Sequence, residues 1–238
     1  MKPDFSVAGA KVLITGGAGG IGLAFARAFA DAGARVHIAD VKAPDQTPHG
    51  VAFTSVDARS DADVAALAAK LDGLDCLIHC AGRLIRDQEY EIDTFRDIVD
   101  IHLFGAMRFA TAFREHLKSS DRASIIFIGS MYSFFGAPHI PAYSSAKTAL
   151  VGLIKSLAIG FAPDRIRVNG VAPGWIKTEI SRRGRENPEF NAKVVARLPN
   201  GEWAEPEELA GAVIFLASPA SRLVNGVMIP VDGGYVAS

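Results

Sequence analysis

Short runs of apolar residues alternate with stretches of helical periodicity almost to the end of the chain. The apolar runs predict strands near 11–15, 35–40, 51–55, 75–80, 123–128, 166–171 and 227–231. Amphipathic stretches predict helices near 20–32, 61–71, 93–117, 142–161 and 206–217. The strand runs are rich in Val, Ile and Leu without polar alternation, so both faces of the sheet are expected to be covered. That pattern implies an α/β architecture with a doubly wound, mostly parallel, seven-stranded sheet and helices on both faces. One stretch breaks the rhythm: Pro173 to Gly201 is polar, carries Arg182, Arg183 and Arg185, and follows the sixth strand. Long insertions in compact domains are often lids or binding loops. Residues 178–200 are therefore expected to form a substrate lid on one domain spanning 1–238.

Composition narrows the classes. The chain has 238 residues, 49% of them hydrophobic and 21% charged, enough for one large core without staples. Twenty-five Lys and Arg balance 26 Asp and Glu, which leaves no electrostatic footprint for nucleic acid or a membrane surface. Met1 to Gly9 lacks the apolar core of a signal peptide. No apolar run approaches the roughly 20 residues needed to cross a bilayer, so a cytoplasmic protein is expected. Cys76 and Cys80 lie on one predicted strand, about 13 Å apart along the chain. A disulfide needs Cα atoms within roughly 7 Å, so two free buried thiols are expected. His37, His49, His116 and His139 show no metal-ligand spacing, and no metal is expected.

The densest chemical signal is TGGAGGIG, Thr15 to Gly22, between the first strand and the first helix. Glycine lets the backbone turn sharply and approach a ligand closely. The helix that follows points free N–H groups and its positive dipole end at the turn, which suits a pyrophosphate. With strand before, helix after and Asp40 ending the second strand, this is a dinucleotide-binding fingerprint of Rossmann-like type. A second constellation lies downstream. Tyr143 and Lys147 share one face at the start of the 142–161 helix. Ser130 ends the fifth strand run, where the sheet's C-terminal edge would receive its hydroxyl.

Taken together, these separated motifs resemble the short-chain dehydrogenase/reductase family, in its compact single-domain form, over essentially the whole chain. The resemblance implies NAD or NADP bound by the backbone of Gly16, Ala18, Gly19, Gly20, Ile21 and Gly22. It implies further cofactor contacts from Asp40, Val41, Asp57 and Ala58, and from Cys80, Ala81 and Gly82 after the fourth strand. Pro173, Gly174, Ile176 and Thr178 match the family's loop that holds the nicotinamide carboxamide, and Asp232-Gly233-Gly234 its C-terminal motif. Ser130, Tyr143 and Lys147 match the catalytic residues, with Tyr143 and Lys147 also reaching the cofactor. Two places depart from the pattern. His79-Cys80 stands where the family has two asparagines, and His102 where it has the asparagine of a proton relay. His102 is read as a variant of that relay or as a packed side chain. Homotetramers are implied, with a dimer as the alternative.

Residue chemistry sets expectations for mechanism. Tyrosine titrates near 10, and bringing it to about 7 requires roughly 4 kcal/mol of differential stabilisation of the phenolate. An ammonium about 4 Å away, at an effective dielectric of 20, supplies a similar amount before desolvation. Lys147 is thus expected to poise Tyr143 as a base for a secondary alcohol, with Ser130 orienting the substrate oxygen. Asp40 accepts ribose hydroxyls and repels a 2′-phosphate, and Val41, Ala18 and Gly19 provide no basic residue, so NAD is the expected cofactor. Met131, Tyr132, Phe134, Phe135, His139 and Trp175 are expected at the substrate, and their aromatic rings favour a ring or other apolar body. Arg182, Arg183 and Arg185, with Arg83 and Arg86 near the rim, are read as solvated surface, with a carboxylate anchor as the alternative. A carbonyl reductase running in the biosynthetic direction and a non-catalytic dinucleotide sensor are the alternatives.

Overall fold

The computed structural model describes residues 2–238. Seven parallel strands form one sheet in the order β3-β2-β1-β4-β5-β6-β7. They are β1 (Lys11–Thr15), β2 (Arg35–Asp40), β3 (Ala52–Ser55), β4 (Cys76–His79), β5 (Ser124–Ile128), β6 (Arg167–Pro173) and β7 (Met228–Val231). The strand order reverses between β1 and β4, which opens a crevice beyond their C-terminal ends. Pro230 is accommodated because β7 is an edge strand and can forgo a ladder donor.

The absence of polar alternation follows from two apolar layers. On one face Leu13, Leu77, Ile125, Phe127 and Val168 pack beneath Phe109, Phe113, Leu150 and Ile154. On the other, Val12, Ile14, Ile38, Ile78 and Ile126 meet Phe25, Phe29, Val213 and Leu216. Neighbouring residues of one strand therefore enter different cores, and each stays apolar. Helices α1 (Gly20–Asp31) and α2 (Asp61–Lys70) follow the prediction closely. The Ser60 hydroxyl caps α2 by accepting from Asp63 N at 3.1 Å. Among the described residues, no helix is long and apolar enough to cross a membrane.

Two predicted segments differ. The single helix expected over 93–117 is α3 (Ile92–Val99), a π-helical turn (Asp100–Phe104), α4 (Gly105–Ala112) and α5 (Arg114–Lys118). The π-turn is closed by a Gly105 N to Asp100 O bond, and its extra residue rotates His102 into the interior. After α6 (Pro141–Gly160), the polar stretch expected to be loop contains α7 (Glu179–Glu186) and α8 (Pro188–Val195). Helix α8 is anchored by a separate aromatic cluster in which Trp175 and Trp203 stack edge-to-face at 4.9 Å, with Met131, Val194, Leu198 and Tyr235 around them. It supplies Phe190, Val194 and Val195 to this cluster, whereas α7 buries none of its residues and its Ile180 is exposed, so no apolar face marks α7 in the sequence. A final helix, α9 (Ala210–Ala217), covers the second core.

Candidate active site

The crevice at the C-terminal edge is a cleft of about 530 Å³, within the range of small-molecule sites. Its nucleotide end is built from backbone. Gly16 turns with φ +64°, and a Cβ there would lie 2.7 Å from the Ala81 backbone, so β1 and the β4 loop meet only through glycine. Gly19 precedes α1 in extended conformation, with no side-chain cap and no acidic residue in the first turn. The N–H groups of that turn are left for an anion. At the tip of β2, Asp40 accepts from Ala18 N at 3.0 Å and Val41 N at 2.7 Å, which fixes its carboxylate toward the cleft. Asp57 is gripped by Arg59, which lowers its pKa, and Arg59 also pairs with Asp97 at 2.6 Å. These features fit a dinucleotide: a close-approach turn, free helix N–H groups and a carboxylate for ribose hydroxyls.

His79 and His102 are both buried and both held neutral. Burial pushes His79 down to about 3, and its Nδ1 lies 2.8 Å from Thr15 Oγ1, which also accepts from Ala81 N. The ring thereby braces the β4 loop in the place of an amide. Burial likewise keeps His102 well below its ordinary value. Its Nε2 lies 2.8 Å from the Arg83 carbonyl oxygen and 3.2 Å from the Arg83 backbone nitrogen, and its Nδ1 has no partner among the described residues.

The catalytic candidates converge from β5 and α6. Ser130 follows β5, and its Oγ accepts from Tyr132 N at 3.2 Å. Ser133 Oγ accepts from Ser130 N and donates to Lys147 O at 2.8 Å, which locks the end of β5 to α6. Lys147 is buried and donates to the Ile128 carbonyl at 2.6 Å; burial lowers its pKa to about 8. Its Nζ lies 5.4 Å from the centroid of the Tyr143 ring. Tyr143 itself is pushed up to about 12, chiefly by burial; the Ser130 hydroxyl and Arg86 pull it down, and Glu89 pushes it further up. The expected phenol near 7 is thus not what the protein alone provides. Desolvation outweighs Ser130 and Arg86, and the positive charge of Lys147 is itself disfavoured by burial.

Of the residues read as cofactor contacts, Ala18 serves Asp40 through its N–H, and the others line the cleft with Ser130, Tyr143, Lys147 and His102. Met131, Tyr132 and Trp175, expected at the substrate, also line the cleft. Four expected substrate residues lie elsewhere. His139 is exposed and pairs with Asp87 at 2.8 Å, and Arg182 pairs with Glu179 at 2.8 Å on the outer face of α7. Phe135 packs into the aromatic cluster against Tyr132 and Tyr235. Phe134 is exposed. Among the arginines near the rim, Arg83 is tied to Asp97, whereas Arg86 lines the cleft above the Phe190 ring of α8 with no carboxylate partner among the described residues. Glu89, buried beneath the site, was not singled out from the sequence. It accepts from Tyr143 N at 2.8 Å.

A family model described as enoyl-(acyl carrier protein) reductase matches residues 16–236. The chain is 34% identical to the uncharacterized oxidoreductase YgcW of Escherichia coli, covering 98% of this chain and 94% of that protein. It is 32% identical to 2-dehydro-3-deoxy-D-gluconate 5-dehydrogenase of Bacillus subtilis, covering 98% and 97%. A gluconate 5-dehydrogenase from Burkholderia cenocepacia, solved in complex with NADP and tartrate, superposes with a TM-score of 0.91 at 31% identity, covering 99% and 98%. With the fold, the glycine turn and the Ser130, Tyr143 and Lys147 constellation in place, the chain belongs to the short-chain dehydrogenase/reductase family of NAD(P)-dependent oxidoreductases.

Proposed function

We propose that this protein oxidises a secondary alcohol of a hydroxy acid, with NAD as the acceptor. The observation that carries the reading is Arg86. It is a guanidinium in the cleft with no ion-pair partner among the described residues, and both Tyr132 and Tyr143 feel its charge. A fixed cation beside the acid–base group suits a substrate that carries a carboxylate near its reacting carbon. The relatives named for gluconate-type acids and the tartrate of the solved homologue support the same substrate class. Asp40 and exposed Val41 support NAD, since neither offers a partner for a 2′-phosphate, although the Burkholderia homologue was solved with NADP.

The nicotinamide supplies a hydride acceptor when bound. The protein supplies the rest. Ser130 Oγ orients the substrate oxygen by a hydrogen bond. Tyr143 takes the hydroxyl proton, for which its pKa must fall from about 12 toward the working pH. Lys147 would hold the ribose hydroxyls of the cofactor, and its ammonium stands 5.4 Å from the centroid of the Tyr143 ring. His102, neutral and edge-on to the Tyr143 ring, is read as the packed side chain of the two alternatives, since its Nδ1 is buried without a partner among the described residues. Helices α7 and α8 act as the lid, with Phe190 under Arg86 and Trp175 against the cleft. A second apolar face is exposed at Phe104 and Met107, 54% and 41% accessible, which supports a homo-oligomer.

The test is NADH formation from matched pairs: polyhydroxy and cyclic hydroxy acids against the same alcohols lacking the carboxylate. The acids should be favoured in kcat/KM by about tenfold or more, and Arg86→Met should erase that preference. Equal use of acids and neutral alcohols by the parent protein would remove the basis for this substrate class.

A further inference from the structure

We propose that Glu89 is a positioning residue that holds the acid–base tyrosine and the substrate-anchoring loop in register with a single carboxylate. The residue precedes α3 and is 0% exposed, an unusual place for a carboxylate. Its Oε2 accepts from Tyr143 N at 2.8 Å, and its Oε1 accepts from Ile85 N at 3.2 Å. The first partner lies in α6, which supplies Tyr143 and Lys147. The second lies next to Arg86, in the loop after β4.

The need for such a group follows from how α6 begins. Pro141 occupies the first helical position and has no N–H to satisfy. Ile140, at the cap, has no side-chain acceptor, and no acidic residue lies in the first turn. The N–H of Tyr143 is therefore an orphan donor at the positive end of a 20-residue helix. Glu89 reaches it from 54 residues away in sequence. A charge-assisted bond of this kind fixes both partners more firmly than a hydroxyl cap would. Because Ile85 shares the carboxylate, moving α6 moves the loop that carries Arg86.

The same charge acts on chemistry. Glu89 raises the Tyr143 pKa, against the lowering contributed by Ser130 and Arg86. The other groups facing the phenol are Lys147, with Nζ 5.4 Å from the ring centroid, the His102 ring at 5.1 Å and Tyr132 at 6.3 Å. His102 is neutral, and Tyr132 is uncharged because burial pushes it up to about 12. Glu89 is thus the anion that opposes ionisation of Tyr143, traded for placement of its backbone.

The inference rests on Tyr143 as the acid–base group of the proposed oxidation, so the experiment includes a readout that needs no turnover. Glu89→Gln keeps an acceptor for Tyr143 N–H, removes the charge and turns a donor toward Ile85 N–H. Two measurements are made on the full chain: the pH profile of kcat with NAD and a hydroxy acid, and an ultraviolet titration of the phenol. The titration is isolated by subtracting the same trace for Tyr143→Phe. For Glu89→Gln, both the rising limb of kcat and the phenol titration should move to lower pH by about half a unit or more. KM for the acid should rise about threefold or more as the Arg86 loop loosens, with the kcat plateau within about threefold of the parent. Glu89→Ala should show the same acid shift and lose about tenfold from the plateau, since Tyr143 N–H is left unpaired. If Glu89→Ala does not fold, Glu89→Gln alone decides. A phenol titration in Glu89→Gln that superposes on the parent's overturns the proposal. That result stands whether or not any hydroxy acid is oxidised, so its failure is separable from failure of the functional reading.

Discussion

The His102 ring stands edge-on to the Tyr143 ring, centroids 5.1 Å apart at 90°, and fills the space a side chain at position 82 would need. A Cβ on Gly82 would come within 2.1 Å of His102 Cε1. The β4 loop, the π-turn and α6 are therefore packed through one imidazole, which also closes on the Arg83 backbone. Removing space here should be costly. Gly82→Ala is expected to lower the unfolding free energy by about 1–3 kcal/mol, the usual penalty of overpacking. In the Gly82→Ala, His102→Ala double variant, about 1 kcal/mol or more of that loss should disappear. Urea unfolding of the four proteins in the cycle measures the coupling, and strict additivity would show that the ring does not occupy this space.

Cofactor choice hangs on one carboxylate. Asp40 is held toward the cleft by two backbone N–H groups, and no basic side chain stands beside it on Val41 or in the glycine turn. Asp40→Ser should weaken NAD binding about tenfold and strengthen NADP binding by a similar factor, as the repulsion of a 2′-phosphate is lifted. Isothermal titration with both dinucleotides distinguishes this from a non-specific loss. Affinities unchanged for both would assign the discrimination to another residue.

Buried neutral histidines impose a sign on the pH dependence of stability. In the folded protein His79 titrates near 3, against an ordinary value of 6.5, and His102 is lowered in the same sense. Below pH 6.5 the unfolded chain takes up protons that the folded chain refuses. Stability is therefore greatest above that value and falls as pH drops toward 3, by up to about 1.4 kcal/mol per pH unit for each group. His79→Asn, which removes one titrating group, should reduce the loss between pH 7 and 5 by roughly 1–2 kcal/mol. Denaturation midpoints at the two pH values test it; identical losses in parent and variant would mean that His79 takes up protons in the folded protein as it does in the unfolded chain.

Much of this arrangement is legible in the chain. Runs such as Cys76-Leu77-Ile78-His79 and Ser124 to Ile128 are buried on both faces, so their composition alone marks central strands. The glycine turn, Asp40, Ser130, Tyr143 and Lys147 are legible because each sits at the end or start of an element whose type is clear. The π-turn at His102 leaves no such mark, since one extra residue in a helix hardly alters local periodicity. Helix α7 is obscured by its arginines and α8 by its eight-residue length, although Asn187 before Pro188 is an available start signal, with Asn187 Oδ1 accepting from Phe190 N at 3.0 Å. Glu89 is the instructive miss. In Asp87-Gln88-Glu89-Tyr90-Glu91 it resembles solvated surface, and nothing local separates it from Glu91. Its partner is 54 residues away, and only packing brings the two together. The same holds for His139, Phe135 and Arg182, whose directions are set by Asp87, the aromatic cluster and Glu179.

The phenol of Tyr143 carries the proposed chemistry, and one substitution addresses it without disturbing its surroundings. Tyr143→Phe keeps the ring against His102 and the backbone N–H to Glu89, and removes the oxygen alone. NADH formation from a hydroxy acid should fall by about a thousandfold or more, while the dissociation constant for NAD stays within about threefold of the parent. Turnover by Tyr143→Phe at a rate comparable to the parent would contradict the assignment of this residue as the group that takes the alcohol proton.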